Sequence, residues 1–314
     1  MKKKRLGNTG LYIPPIVFGG NVFGWTLDEQ QSFDILDRVL AMGFNTIDTA
    51  DSYSHWAPGN KGGESETIIG KWMKARKNRD QIIIATKVGS NPGKEGRDVS
   101  KEYILRAAEE SLQRLQTDYI DLYFTHWDNE SMPVEETLAA YKQLIDEGKI
   151  GHIGASNLSP ERIHESMAAA SENHLPKYEV LQPEYSLMER KKFEEGYWEI
   201  AKEYDLGVLS YFSLASGFLT GKYRKQEDIK GDRTHIVKDY FSEKGHRILE
   251  VLDNLSKDNN TSNAAVALAW IMQRPCITAP IASATKPKHL EAFKDAVSLQ
   301  LSQEEINRLN EVSG

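Results

Sequence analysis

Short apolar runs, each followed by a longer amphipathic and charged stretch, recur along most of this 314-residue chain, and that alternation restricts the fold more than any other feature. A strand followed by a crossover helix is the repeating unit of a parallel sheet. The runs read as strands are 16–20 (IVFGG), 44–49 (FNTIDT), 82–87 (IIIATK), 119–126 (YIDLYFTH), 152–156 (HIGAS), 178–182 (YEVLQ), 207–212 (GVLSYF) and 277–282 (ITAPIA). Between them lie helical patterns such as 28–43, 100–115 and 133–148, each opened by a capping or first-turn residue. Eight such units predict an α/β fold, a closed (β/α)8 TIM barrel, which needs about 250 residues plus insertions. The competing doubly wound open sheet is expected to carry GxGxxG after its first strand, and the sequence has none there.

The opening KKRLGNTGLYI sets two short runs around a Gly-Asn-Thr-Gly turn, the pattern of a β-hairpin expected to plug one barrel end. Residues 262–273 and the stretch from Ser302 to Glu311 are further helical patterns, expected beyond the regular count and outside the barrel. No composition break, low-complexity tract or Ser/Pro-rich linker interrupts the chain, so residues 1–314 are read as a single domain.

Charge and cysteine usage narrow the function. Lys and Arg total 39 against 46 Asp and Glu, a net charge of −7, with no basic block beyond Met1–Arg5, which argues against nucleic acid. Cys276 is the sole cysteine, so neither an intramolecular disulfide nor a four-cysteine zinc site can form. His126 and Asp128 lie two residues apart with no third ligand indicated, so no metal is expected. No apolar run reaches the roughly 18 residues that span a bilayer, and the basic start lacks the apolar segment of a secretory signal. These features predict a soluble, cytoplasmic protein with no membrane partner.

In such a barrel the active site forms at the carboxyl ends of the strands, so polar residues there are candidates. Asp48 stands at the end of the second run with Tyr53 in the following loop, Lys87 ends the third, and His126 the fourth. Ser156 and Asn157, then Gln182, then Tyr211, follow at the ends of the next three. Singly, each has an ordinary alternative: Asp48 as a helix cap, Lys87 and Tyr53 as solvated groups, His126 as a rim histidine, Gln182 as a buried barrel hydrogen bond. Together the aspartate, tyrosine, lysine and histidine make an acid-base set. A phenol with a pKa of about 10 is a poor acid at neutral pH unless its anion is stabilised. The Lys87 ammonium would do that, and Asp48 would keep Lys87 charged and aimed.

Six segments resemble, in order and spacing, the signatures of the aldo-keto reductase family: FNTIDTADSYS, IIIATKV, DYIDLYFTHWD, GKIGHIGASN, LQPEYSLMER and GVLSYFSLASGFLTGKY. The resemblance runs from about Arg5 to the final helix and implies a nicotinamide-dependent reductase of aldehydes or ketones. By motif, the family's catalytic tetrad falls on Asp48, Tyr53, Lys87 and His126, with Tyr53 as proton donor, His126 orienting the carbonyl oxygen, and hydride arriving from C4 of the reduced nicotinamide. The family's contacts to the nicotinamide amide fall on Ser156, Asn157 and Gln182, and its stacking aromatic on Tyr211. Residues 213–223 resemble its pyrophosphate belt, which implies contacts from Ser213, Leu214, Ser216, Gly217, Leu219, Gly221 and Lys222.

The last cofactor segment departs from the family pattern. Ser283 stands where many members have glycine or lysine, His289 where arginine or glutamine is common, and Ala292 and Phe293 replace a Glu-Asn pair that contacts adenine. Thr285, Lys286 and His289 still suit the 2′-phosphate of NADP, which is the expected cofactor, with NAD the alternative. Trp25, His55, Trp56 and Trp127 flank the tetrad and are expected to wall a pocket for an apolar or sugar-like carbonyl compound. Core packing is an equal alternative for any one tryptophan. Two other functions fit less well. A cofactor-binding regulatory subunit, as in the potassium-channel β subunits that resemble this family, tolerates an intact tetrad, but neither an extended N-terminal arm nor an apolar partner patch is evident. A Schiff-base lyase needs a neutral Lys87, which Asp48 opposes.

Overall fold

The structure, a computed structural model, describes residues 1–90, 96–229 and 237–314. A two-stranded antiparallel hairpin, β1 (Lys4–Arg5) and β2 (Tyr12–Ile13), precedes eight strands. These are β3 (Val17–Gly19), β4 (Thr46–Asp48), β5 (Ile83–Val88), β6 (Ile120–Thr125), β7 (Ile150–Ser156), β8 (Val180–Gln182), β9 (Gly207–Ser210) and β10 (Ala279–Ala282). They close into one parallel barrel in the order β10-β3-β4-β5-β6-β7-β8-β9, as the alternation of the sequence predicts. Most strands are shorter than their apolar runs. β7 instead begins at Ile150, two residues before the run read from the sequence, because Ile150 and His152 pair with Ile120 and Leu122 of β6 whatever their polarity.

Side chains alternate along a strand with period two, so one row per strand points into the barrel. Val17, Ala85, Leu122, Phe124, Val180, Leu209, Ala279 and Ile281 form one buried cluster, and Leu6 and Ile13 of the hairpin join it. The hairpin therefore plugs the amino end. Gly7, at φ +49°, sits so close to β9 that a Cβ there would lie 2.2 Å from the Gly207 nitrogen. A larger cluster, including Ile47, Ile84, Val88, Tyr123 and Ile153, fills the layer between strands and helices.

Helices α1 (Glu29–Ala41), α2 (Glu64–Arg76), α3 (Lys101–Leu115), α4 (Val134–Asp146) and α5 (Pro160–Glu172) alternate with the strands. Asp28, Ser100 and Ser159 cap α1, α3 and α5 by accepting a first-turn backbone N–H. The helix Asn263–Met272 differs from its sequence reading. It is buried along nearly its whole length and packs on β10, so it is the regular crossover into that strand rather than an addition. The added elements are the helix Glu243–Asp258, which packs on it, and the final helix Gln303–Ser313. Uniform apolarity in 263–272 marks a helix covered on all sides. No described helix is long and apolar enough to cross a membrane.

Gly154 on β7 leaves no room for a side chain in the barrel interior: a Cβ there would lie 2.2 Å from the Phe124 ring, itself fully buried. Gly154→Ala is expected to lower stability by about 1–3 kcal/mol through overpacking, read as a lower urea midpoint with an unchanged slope. An unchanged midpoint would show that Phe124 can yield.

Candidate active site

On several strands the inward row is apolar in the middle of the barrel and polar one step further on. Ala85 is followed by Lys87, Phe124 by His126, Val180 by Gln182, Leu209 by Tyr211 and Ile281 by Ser283. The period of two thus delivers these side chains to a common mouth.

Lys87 is fully buried, and its ammonium group donates to three acceptors: Asp48 Oδ2 at 2.8 Å, the Thr49 carbonyl at 2.6 Å and the Tyr53 hydroxyl at 2.8 Å. Three acceptors match the three N–H donors of an ammonium. Burial pulls Lys87 below its ordinary pKa, opposed chiefly by Asp48 and further by Asp51 and Glu66. Asp48 Oδ2 also accepts from the Tyr53 hydroxyl at 3.1 Å, and Oδ1 accepts from Gln182 Nε2 at 2.8 Å. The loop that returns Tyr53 to Asp48 is pinned to β5 by bonds from Thr49 N–H to Ala85 and from Asp51 N–H to Lys87.

The sequence reading makes Lys87 the partner that acidifies Tyr53. In the fold burial dominates, Asp48 adds to it, and the phenol is held well above its ordinary pKa. Tyr53 therefore carries its proton throughout the neutral range. The His126 ring lies 6.1 Å from the Tyr53 ring, and its Nδ1 is 2.9 Å from the Ser90 hydroxyl. Burial first, then the charges of Lys87, Arg97 and His55, push the imidazole well below its ordinary pKa, so it is neutral.

The amides expected to bind a ligand are largely engaged with the protein. Asn157, at φ +55°, donates to the His126 carbonyl at 2.9 Å and to Ser156 Oγ at 3.1 Å, and accepts from the Tyr211 hydroxyl at 2.9 Å. Ser156 donates to the Gln182 carbonyl at 2.9 Å. These bonds join the ends of β6, β7, β8 and β9 and fix the Tyr211 ring.

Residues 213–222 form a turn with Ser216 at φ +54°, Gly217 at φ +90° and Gly221 at φ +74°. Ser213 is buried and bonded to the Ser210 carbonyl at 3.0 Å, and Leu219 is fully buried, so neither side chain faces outward. Leu214 is half-buried. Lys222 lies over Gly217, where a Cβ would be 3.0 Å from its Nζ. Across from this turn, the Ser283 hydroxyl faces the Gly19 carbonyl at 2.7 Å and Asn21 Oδ1 at 2.6 Å, closing the seam between β10 and β3. Thr285 Oγ1 is 3.5 Å from His289 Nδ1. Burial, then Lys222, Lys286 and Lys288, lower the His289 pKa. Three lysines and a histidine therefore share one patch. Phe293 is buried against Phe18 and Phe44, so this departure from the family pattern serves the core.

Three aromatic residues gather beside Tyr53: Trp56 is 6.1 Å from its ring, Trp25 is 5.5 Å from Trp56, and His55 is 5.3 Å from Trp56. Trp127 stacks on His126 at 6.0 Å. Trp56 is 43% exposed, which fits a wall better than a core position.

The profile of the Aldo/keto reductase family matches residues 15–313. The chain belongs to that family. Aldo-keto reductase YhdN of Bacillus subtilis is 35% identical over 94% of this chain and 86% of its own length. An uncharacterized oxidoreductase, YrpG, of the same organism is 34% identical over 99% and 96%. A probable voltage-gated potassium channel subunit beta of Arabidopsis thaliana is 29% identical over 95% and 92%.

Several residues of the site escape sequence reasoning: Asn21, Ser90, Arg97, Lys288 and a buried cluster behind β4 and β5. In that cluster Glu66 is fully buried between Thr86 Oγ1 at 2.5 Å and Arg114 Nε at 2.7 Å. Asp51 is buried beside it with Oδ1 lacking a partner among the described residues, and burial followed by Glu66 pushes its pKa up to about 8. A raised carboxyl pKa favours folding fully below the ordinary value of 3.8, and that contribution is lost as pH rises through about 8. Asp51→Asn is thus expected to gain stability relative to the parent at pH 8 compared with pH 5, measured by urea denaturation. The same difference at both pH values would mean that Asp51 is ionised throughout.

Proposed function

We propose that this family member reduces an aldehyde or ketone to an alcohol, with Tyr53 as the general acid. The observation that carries the reading is the Asp48–Lys87–Tyr53 chain beside a neutral His126. A nicotinamide dinucleotide fits the residues present. The Lys222, Lys286, Lys288 and His289 patch suits phosphate, Tyr211 offers a ring face, and Gln182 retains an amide oxygen with no hydrogen bond among the described residues. Backbone of 213–222 would hold the pyrophosphate, and Thr285 and Lys286 the 2′-phosphate, which favours NADP over NAD.

When bound, the reduced cofactor supplies hydride to the carbonyl carbon. Tyr53, kept protonated by burial and Asp48, turns its proton from Asp48 to the carbonyl oxygen as negative charge develops there. The phenolate left behind is stabilised by the Lys87 ammonium. The reading assigns the neutral His126 ring its proton on Nε2, with Nδ1 accepting from the Ser90 hydroxyl 2.9 Å away, so that the Nε2–H hydrogen-bonds and orients the same oxygen. Trp25, Trp56 and Trp127 wall the substrate and exclude water. On this reading the protein is a carbonyl reductase acting on small molecules, and its single cysteine, Cys276, suits a reducing compartment such as the cytoplasm.

A second reading, a cofactor-bearing subunit of a larger assembly, is favoured by the potassium-channel relative. Fluorescence titration with NADPH and NADH, followed by nicotinamide absorbance with a panel of aldehydes, separates the two: turnover supports the reductase, and tight binding without turnover supports the subunit. Tyr53→Phe is expected to lower kcat by about 10²–10⁴-fold while retaining cofactor binding; turnover at the parent rate would remove Tyr53 from the mechanism. Lys286→Ala is expected to weaken NADPH binding with little effect on NADH, and equal weakening of both would refute a 2′-phosphate contact.

A further inference from the structure

We infer that Arg97 makes the pocket selective for carbonyl substrates that carry an anionic group, a carboxylate or a phosphate, remote from the reacting carbon. The inference deepens the reductase reading above and rests on it for which end of the substrate reaches Tyr53.

Arg97 follows β5 and places its guanidinium 4.2 Å over the Trp127 ring. Trp127 in turn stacks on His126, and the Arg97 charge is one of those that depress the His126 imidazole. The guanidinium thus stands over the pocket wall within electrostatic reach of the site. It is exposed and makes no salt bridge among the described residues, whereas nearby Arg162 is bound to Asp128 and Glu165, and Arg114 to Glu66. The acidic neighbours are committed elsewhere: Asp98 accepts the Ser100 N–H at 3.0 Å, and Asp128 holds Arg162 at 2.8 Å.

Its backbone is pinned. The Arg97 carbonyl accepts from Asn129 Nδ2 at 2.9 Å, and Val99 is fully buried with its carbonyl accepting from Thr137 Oγ1 at 2.9 Å. Stacking on an aromatic face leaves the planar fork of N–H donors free at its edge, the geometry that matches carboxylate or phosphate. In a chain of net charge −7, a cation at this wall with no ion-pair partner among the described residues would draw in anionic substrates.

The test uses matched pairs: 4-carboxybenzaldehyde against its methyl ester, and glyceraldehyde 3-phosphate against glyceraldehyde, with the parent protein, Arg97→Gln and Arg97→Lys. Both kcat/KM and calorimetric binding are measured at low and high ionic strength. In the parent the anionic member of at least one pair is expected to be preferred, and the pair that shows it identifies carboxylate or phosphate. Arg97→Gln is expected to reduce that preference about tenfold, as for loss of a hydrogen bond to a charged group, and high salt to erode it. Arg97→Lys should retain part of it. No preference in either pair, or a preference unchanged in Arg97→Gln, overturns the inference. Absence of turnover with every aldehyde would count against the reductase reading alone, since the binding ratios still report the anion preference.

Discussion

Closing eight parallel strands into a barrel commits every second residue of each strand to one shared interior. That constraint organises the rest of this molecule. The interior must be filled, and Leu122, Phe124, Val180, Leu209 and Ile281 fill its middle while Leu6 and Ile13 of the hairpin seal its amino end. With one end plugged and the middle packed, only the carboxyl mouth can accept polar side chains. The next inward residues, Lys87, His126, Gln182 and Tyr211, occupy it. Even a missing side chain belongs to this packing, since Gly154 gives the Phe124 ring its space.

Placing charges at that mouth is energetically costly, and the surroundings show how the cost is offset. The buried Lys87 and Asp48 are tolerable because their donors and acceptors are matched: Lys87 by Asp48, Thr49 and Tyr53, and Asp48 by Lys87, Tyr53 and Gln182. Asp48, and behind it Glu66, favour the charged form of Lys87 against burial. The same burial that weakens the ammonium keeps the Tyr53 proton in place, so the proposed acid is loaded at rest and gives up its proton only to a stronger base than phenolate. Further out stand cations: Lys222, Lys286 and Lys288 lie around His289 on one side of the mouth, and Arg97 stands over Trp127 on another. Both patches are positive in an acidic chain, as binding of anionic groups requires.

The legibility of the site in the sequence follows from the same geometry. Asp48, Lys87, His126, Gln182 and Tyr211 could be found because each ends an apolar run, where a polar residue stands out. Ser90, Arg97 and Asn21 lie in loops with no periodic pattern, and nothing local separates them from solvated residues. Glu66 is harder still. It sits in the first turn of α2, where an acidic residue is ordinarily a solvated partner of the helix terminus, yet the approach of α3 buries it under Arg114. The helix 263–272 was legible as a helix from its composition, but its position in the barrel was not, because an all-apolar segment has no outward face to orient it.

By itself the sequence determined the repeating βα order, the hairpin, the barrel and which ionisable residues, Asp48, Lys87 and His126, stand at successive strand ends. These are properties of short segments: a run, its period and the residue that ends it. Only the tertiary structure decided how those residues act on one another. Asp48 and Gln182 are 134 positions apart yet share a hydrogen bond, and the direction of each pKa shift comes from burial and from charges contributed by other strands. Electrostatic interactions depend on distance through space and on exclusion of water, and neither exists until the barrel has closed.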